Sequence, residues 1–435
     1  MGPLTGLRVV ELASIGPGPL CAMLLADLGA EVIRIDRTEP SGLGVPTKTR
    51  FEITGRNRQS VALDIKQKAG LDAALRLIDT ADVLIEGWRP GVAERLGMGP
   101  DVCHARNPGL VFGRMTGFGQ TGPLSQAAGH DLNYIALTGA LHAIGGGKSG
   151  TDKPIPPLNL VGDYGGGALY LAFGILAAIF ERSRSGKGQV VDAAMVDGAS
   201  SLMSIFFGMM ASGAWNTKER AANILDGGTP FYDTYATSDG QWVSIGSLEP
   251  KFFAEMVERI GLDPSYVKRQ HDKTCWPQMR ADMVAKIGAK TRDEWSALLE
   301  GTDVCFAPVL RLDEVANHPH AQARNAYLDL GGVLLNLDYN LTEQAFIDAG
   351  VKNFGQLYSQ LQQSDLFDRW ETGRMSRAEF IKAMQDASET PLTEAQVLHS
   401  WNAMLLDFPI RRLQILQQLR NHFDLFLLSN TNEIH

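Results

Sequence analysis

Hydrophobic and polar positions follow a regular order near the start of the chain. The apolar runs at residues 7–12 and 31–35 predict strands, and the segment between them, residues 19–28, predicts a helix. The order returns with a helical pattern at residues 71–80 and a strand pattern at 83–85. Because strands that alternate with helices form parallel sheets, this pattern predicts an α/β fold with a largely parallel sheet flanked by helices.

Changes in the pattern predict the domains. We expect a large α/β domain over residues 1–190, a helical linker over 191–229, a smaller α/β domain over 230–320 and a junction over 321–328. After the junction the helices become rich in Gln. Lys and Arg minus Asp and Glu give 32 − 35 = −3 for residues 1–328 and 8 − 14 = −6 for 329–435. The last quarter therefore differs in character from the rest.

Composition excludes several classes of protein. The 435 residues carry a net charge of −9 and no cluster of Lys or Arg, whereas nucleic acids and anionic membranes are bound by dense positive charge. The apolar run at 168–180 is shorter than the ~20 residues of a bilayer span and predicts a buried helix. Four scattered cysteines without C-x-x-C spacing predict neither a metal site nor disulfides. With no visible targeting signal, we expect a cytoplasmic protein.

The loop after the first predicted strand partly matches a dinucleotide fingerprint. Gly16 and Gly18 occupy two glycine positions, but the third is Cys21. Pro17 and Pro19 also remove two N–H donors from the loop that would hold a pyrophosphate. The sequence therefore argues against NAD(P) binding.

Two proton carriers stand in glycine-rich segments. His130 lies in G-H-D-L-N-Y and Asp163 in G-D-Y-G-G-G, which we expect to be turns. A histidine titrates near neutrality and a desolvated aspartate is raised toward the same range, so the pair suits proton transfer. The backbone N–H groups of residues 163–167 are candidates to stabilise a developing negative charge.

Four arginines follow strand-like segments. Ligands gather at the carboxyl ends of parallel strands, so their guanidinium groups favour a phosphate-bearing carrier. These arginines are Arg37, Arg56, Arg58 and Arg89.

Residues 3–326 resemble the α-methylacyl-CoA racemases of the class III CoA-transferase superfamily. The resemblance runs through G-L-R-V-V-E-L-A, V-L-I-E-G-W-R-P-G-V, R-M-T-G-F-G-Q-T-G-P, G-H-D-L-N-Y and P-P-L-N-L-V-G-D-Y-G-G-G. It implies a Rossmann-like large domain, a small domain, and two chains interlocked as a homodimer. It also implies a 2-methylacyl-CoA substrate with no cofactor beyond the coenzyme A of the substrate itself.

The resemblance assigns roles to particular residues. His130 and Asp163 match the two catalytic bases, and Glu249 matches a glutamate that supports the histidine from the partner chain. Asn159 and Tyr134 match positions at the substrate. One base would remove the α-proton of the thioester and the other would return a proton on the opposite face.

Two alternatives remain open. In a class III CoA transferase the carboxylate of Asp163 would attack the thioester as a nucleophile, but that chemistry requires no second proton carrier such as His130. The second alternative is that the chain is a non-catalytic fusion protein that binds CoA.

Residues 329–435 resemble a second family, the haloacid-dehalogenase-like phosphatases. Asp329 in D-L-G-G-V-L matches the nucleophile and Ser429 in L-S-N-T-N the phosphate-binding serine, with a helical cap between them. The usual acid/base aspartate is Gly331, and the lysine and magnesium motifs are missing. This resemblance implies a chimeric chain whose last part is a truncated core without phosphatase activity.

Overall fold

The computed structural model describes residues 2–44, 52–145, 153–324, 339–351, 375–388 and 391–402. Its contacts divide the chain into two compact units, Met1–Val309 and Leu310–His435.

A parallel sheet of six strands forms the centre of the first unit. The strand order is β3-β2-β1-β4-β5-β6, the order of a doubly wound sheet. The predicted α/β fold with a parallel sheet is thus confirmed. The strands are β1 Arg8–Leu12, β2 Glu31–Asp36, β3 Gln59–Ala62, β4 Val83–Glu86, β5 Val111–Thr116 and β6 Val190–Ala194.

Helices cover both faces of the sheet. Every residue of β4 and β5 is buried, as expected for strands in the middle of a parallel sheet. Side chains alternate between the faces, so Val9 packs in one core and Val10 in the other. The helices of this region are α1 Pro17–Asp27, α2 Lys68–Asp79, α3 Val92–Arg95, α4 Pro100–Arg106, α5 Asp131–Leu137, α6 Ala140–Ala143 and α7 Leu169–Ser185.

A π-helix, Leu160–Ala168, leads directly into α7. The prediction of a turn around Asp163 was wrong, because the glycines here serve helix packing. Gly166 lies against α8, Met195–Leu202, so closely that a Cβ on Gly198 would stand 1.8 Å from the Gly166 carbonyl oxygen. Short π-helical segments occur frequently at functional sites.

The predicted burial of the apolar run at 168–180 holds for only one side of α7. Leu171 and Ile175 are buried, but Phe173 is 73% exposed and Phe180 is 66% exposed. Leu160–Ser185 is also the one helix among the described residues that is long and apolar enough to cross a membrane, judged by length and composition. Helix α9, Ser204–Ala211, follows α8 and has no buried residue although its sequence is S-I-F-F-G-M-M-A.

A second sheet lies in the later part of the first unit. It is antiparallel, with the order β7-β8-β9 over Tyr232–Ala236, Trp242–Gly246 and Phe306–Pro308. Three helices pack on one face around Phe253, Met279 and Trp295. They are α10 Pro250–Ile260, α11 Trp276–Ile287 and α12 Arg292–Leu299.

The second unit contains α13 Pro319–Arg324, α14 Tyr339–Asp348, α15 Arg377–Asp386 and α16 Glu394–Asn402 among its described residues. The side chains of Phe346, Phe380 and Trp401 form a small buried core there. Asp329 and Ser429, the matched phosphatase positions, lie outside the described residues. The phosphatase resemblance and the chimera therefore stay predictions.

Candidate active site

A cavity of about 1230 Å³ opens at the carboxyl ends of β1, β2, β4 and β5. The strand order reverses between β1 and β4, and ligands of doubly wound proteins bind at this reversal. The charged or titratable side chains that line it include Arg37, Lys66, Arg89, Arg95, His130 and Asp163. Both predicted proton carriers and two of the four predicted arginines therefore meet at one site.

The Asp163 carboxyl is held in the first half of the π-helix. Its Oδ2 accepts a hydrogen bond from Asn159 Nδ2 at 3.2 Å. Burial raises the pKa of this carboxyl above its ordinary value, and the nearby Asp131 charge raises it further. The Asn159 hydrogen bond and the charge of His130 lower the pKa without cancelling the effect of burial. Asp163 is therefore poised closer to neutrality than a solvated aspartate.

His130 is the residue that precedes α5. Its backbone N–H donates to Asn133 Oδ1 at 3.0 Å, which fixes the chain where the helix begins. The side chain is exposed to the cavity, and its charge acts on Asp163. The histidine and the carboxyl thus share one solvent-accessible space.

Asp131 joins the two segments that carry the proton carriers. It follows His130 in the chain and is 5% exposed, and its Oδ1 accepts backbone N–H groups of Gly162 at 2.6 Å and Asp163 at 2.7 Å. The N–H of Tyr164 donates to the Asn159 carbonyl. The predicted use of the N–H groups of Asp163 and Tyr164 to stabilise negative charge was therefore wrong, because both are already bonded.

Tyr134 lines the cavity and supports the segment before His130. Its hydroxyl donates to the Gly129 carbonyl, and its ring meets Phe118 edge-on with centroids 4.9 Å apart. Burial, and then the charge of Asp163, raise the pKa of Tyr134 to about 12. The phenol therefore stays protonated near neutrality, as a donor that holds the loop.

The four predicted arginines separate into two pairs. Arg37 and Arg89 line the cavity. The side chain of Arg58 is buried, and its guanidinium pairs with Glu11 and donates to the Thr54 carbonyl. Arg56 forms a two-point pair with Asp27, with Nε 3.0 Å from Oδ1. The prediction of phosphate contacts was wrong for Arg56 and Arg58 at this cavity, because neither lines it and each guanidinium pairs with a carboxylate.

The cavity residues that sequence reasoning missed include Lys66, Trp88 and Arg95. Trp88 is the first residue of the W-R-P-G motif that contains Arg89, and Arg95 lies four residues after it, so the motif itself was an available signal. Arg95 ends the four-residue α3, which is too short to show a helical period. Lys66 follows β3, which was not predicted as a strand.

Glu249 does not line this cavity. It precedes α10 and is exposed, and its charge is one of the causes that raise the pKa of the Cys305 thiol, after burial. The structure of one chain therefore does not bring Glu249 together with His130. Within the described ranges, no group of three or more His, Cys, Asp or Glu side chains could hold a metal ion.

The raised pKa of Asp163 leads to a prediction about stability. Folding raises the pKa of the Asp163 carboxyl. At every pH at which this carboxyl is ionised in the unfolded chain, a raised pKa lowers the free energy of unfolding. We expect Asp163→Asn to raise the unfolding temperature at neutral pH, because Asn cannot ionise. The gain should shrink as the pH falls toward about 4, where an unfolded aspartate becomes protonated. Thermal unfolding followed by circular dichroism across this range measures the difference.

Asp101→Asn is the matched control. Asp101 is exposed in the first turn of α4, where a negative charge is favoured by the helix dipole. Its replacement should not raise the unfolding temperature at any pH. An Asp163→Asn protein that is no more stable than the parent at neutral pH would show that burial does not disfavour this charge.

Comparison with known proteins identifies the family of the chain and several relatives. The sequence pattern of the CoA-transferase family III matches residues 4–333. The chain is 43% identical over 328 residues to α-methylacyl-CoA racemase of Mus musculus, covering 75% of this chain and 83% of that protein. The Homo sapiens racemase is 41% identical over 327 residues, covering 75% and 82%.

A solved structure has the same fold. Rv3272 of Mycobacterium tuberculosis superimposes with a TM-score of 0.62 at 30% identity, covering 75% of this chain and 88% of that one. Rv3272 is described as a probable fatty acyl-CoA transferase. Racemases and transferases are thus both similar to this chain.

Proposed function

The chain belongs to the CoA-transferase family III, and from this premise we propose that it is a racemase of 2-methylacyl-CoA thioesters. It inverts the carbon next to the thioester carbonyl by moving one proton off and another on. Two side chains, Asp163 and His130, carry the protons. The similarity to two α-methylacyl-CoA racemases supports the substrate class.

One observation carries the proposal: a carboxyl with a raised pKa and a histidine line the same cavity. General acid and base catalysis is most efficient when the pKa of the group lies near the working pH. Imidazole is the side chain that most often serves as a general acid or base, and burial raises the pKa of Asp163 toward the working range. Each group can therefore accept a proton in one direction of the reaction and donate it in the other.

The steps balance without an outside reagent. One group takes the α-proton, and the electron pair of the C–H bond moves into the thioester carbonyl to form an enolate. The other group then protonates the same carbon on the opposite face, and the carbonyl re-forms. Asn159 and Asp131 position Asp163 through the hydrogen bonds to its carboxyl and its backbone.

The basic residues of the cavity bind the phosphate groups of coenzyme A. Arg37, Lys66, Arg89 and Arg95 all line it. Guanidinium groups match phosphate oxygens in geometry and in charge. The coenzyme is part of the substrate, and the proton transfers described need no separate cofactor.

The active unit is proposed to be a homodimer in the cytoplasm, with the chains interlocked as the family resemblance implies. Two observations support a second copy. Helices α7 and α9 both expose large apolar side chains, among them Phe173 and Ile205, that a monomer leaves in water. Glu249 is exposed and away from the cavity of its own chain, so it is free to approach His130 of another chain.

CoA transfer is the second candidate, favoured by the similarity to Rv3272, the probable fatty acyl-CoA transferase. There the Asp163 carboxylate attacks the thioester carbon and CoA leaves as a thiolate, giving a mixed anhydride. Transfer would make His130 dispensable, whereas racemisation depends on it.

The test is exchange in deuterium oxide. Each pure enantiomer of a 2-methylacyl-CoA is incubated with the protein, and NMR and chiral analysis follow the α-position. We expect deuterium incorporation together with inversion. A parallel reaction with a free acceptor acid detects CoA transfer, and sedimentation gives the number of chains. Transfer without exchange would overturn the racemase proposal in favour of the second candidate. Binding of CoA with neither α-proton exchange nor CoA transfer would favour a non-catalytic protein that binds CoA.

A further inference from the structure

We propose that Gly16 determines the selectivity of this site for acyl chains branched at the carbon next to the thioester. The inference rests on the proposed racemase function and adds a residue that makes room for the branch. Gly16 lies in the loop after β1, is the residue before α1, and lines the cavity. It touches the site without supplying any chemical group.

The space beside Gly16 faces Asp163. A Cβ built on Gly16 would lie 3.3 Å from Asp163 Oδ2 and 3.8 Å from its Cγ. Among the described residues, no other heavy atom beyond its chain neighbours comes within 4 Å of that position. The missing side chain therefore leaves a gap that belongs to the cavity and borders the carboxylate.

Proton transfer puts the reacting carbon in the same region. A base takes a proton from an atom within about 3.2 Å, so the α-carbon of the substrate lies about that far from a carboxylate oxygen. Asn159 approaches Oδ2 at 3.2 Å, but a carboxylate oxygen has a second lone pair to offer. A Cβ at 3.3 Å would thus stand at the distance of the reacting carbon itself.

Branched and linear substrates differ by one carbon at this point. A linear acyl thioester carries two hydrogens on the α-carbon, and a 2-methylacyl thioester carries one hydrogen and a methyl group. An added carbon at position 16 competes with that methyl group for space. The linear substrate needs less space there, so the substitution should lower its rate of exchange less.

Backbone conformation complicates any substitution at this position. Gly16 has φ 71° and ψ −119°, a combination that side chains rarely adopt. Strain of this kind can shift Asp163 and slow both substrates. The quantity to measure is therefore the ratio of the two rates within one variant, because a displaced carboxylate lowers both.

The experiment compares Gly16→Ala and Gly16→Leu with the parent protein. Deuterium exchange is measured for a 2-methylacyl-CoA and for the linear acyl-CoA of equal chain length, and kcat/KM is taken for each. Gly186→Ala is the control, since Gly186 has φ 75° with nothing within 4 Å of its Cβ position. We expect Gly16→Ala to lower the branched-to-linear ratio about tenfold, the usual effect of one carbon in a pocket. Gly16→Leu should lower it further, and Gly186→Ala should leave it unchanged.

The outcomes separate this inference from the function beneath it. Equal loss of both rates in Gly16→Ala would overturn the selectivity role and leave the racemase proposal standing. Exchange of neither substrate by the parent protein would overturn both. If Gly16→Leu does not fold, the ratio in Gly16→Ala still decides, because a value within twofold of the parent contradicts the inference.

Discussion

Asp163→Asn is expected to lower the rate of epimerisation by about 10²–10⁴-fold, the usual contribution of a positioned acid or base. The amide keeps the shape of the side chain and an oxygen that can accept the Asn159 hydrogen bond. It cannot take up a proton, so one of the two proton carriers is removed with little other change. His130→Gln should lower epimerisation by a similar factor.

Deuterium exchange at the α-carbon distinguishes the roles of Asp163 and His130. In Asp163→Asn only the enantiomer whose α-proton faces His130 should still exchange its proton with deuterium, and no inversion should follow. In His130→Gln the other enantiomer should be the one that exchanges. NMR of each pure enantiomer in deuterium oxide measures this difference. A single-base mechanism predicts instead that one of the two variants keeps full activity with both enantiomers.

Matched controls are available for both residues. His142 is exposed on α6 and Asp101 on α4, and neither lines the cavity. His142→Gln and Asp101→Asn should epimerise the substrate at the rate of the parent. Loss of activity in these controls would indicate that general damage, rather than the missing proton carriers, explains the result.

Arg58→Ala is expected to lower the free energy of unfolding by about 3–5 kcal/mol, the cost of removing one partner of a buried ion pair. The Arg58 side chain is 2% exposed and that of Glu11 is 0% exposed. Burial already raises the pKa of Glu11, and Arg58 is the strongest influence that lowers it. Without the guanidinium the carboxylate would remain buried in β1 without this partner. Denaturation by urea measures the loss.

Arg37→Ala is the contrasting variant. Arg37 is exposed and lines the cavity, so its loss should change stability by no more than about 0.5 kcal/mol. Its loss should instead weaken the binding of acyl-CoA, measured by calorimetry. An Arg58→Ala protein with parental stability and weakened binding of acyl-CoA would restore the sequence-based prediction that Arg58 contacts phosphate.

The sheet was predictable because its signal is local. Residues 31–35 and 83–85 are short segments rich in Val, Ile and Leu, and they became the strands β2 and β4. β3 was missed because it is an edge strand of four residues, Q-S-V-A, and none of them is buried. β3 is held by its backbone hydrogen bonds to β2, and backbone hydrogen bonds do not require a particular pattern of apolar and polar side chains.

The candidate bases were predictable for a different reason. His130 and Asp163 stand in short motifs whose letters are informative without any structure. Their supports were not predictable. Asp131 holds the backbone of Asp163 across a separation of 32 residues, and only the packing of α5 against the π-helix brings them together.

The sequence by itself determined the fold class, the family and the candidate acid/base residues, because periodicity and motifs depend on residues that are close together in the chain. Only the tertiary structure decided which arginines remain available to a ligand, how Asp163 is buried and what space stands beside it. Arg58 and Glu11 are 47 positions apart, and Gly16 and Asp163 are still farther apart in the chain. The pKa of a carboxyl and the occupancy of a guanidinium depend on such distant neighbours, since burial and charge act through space.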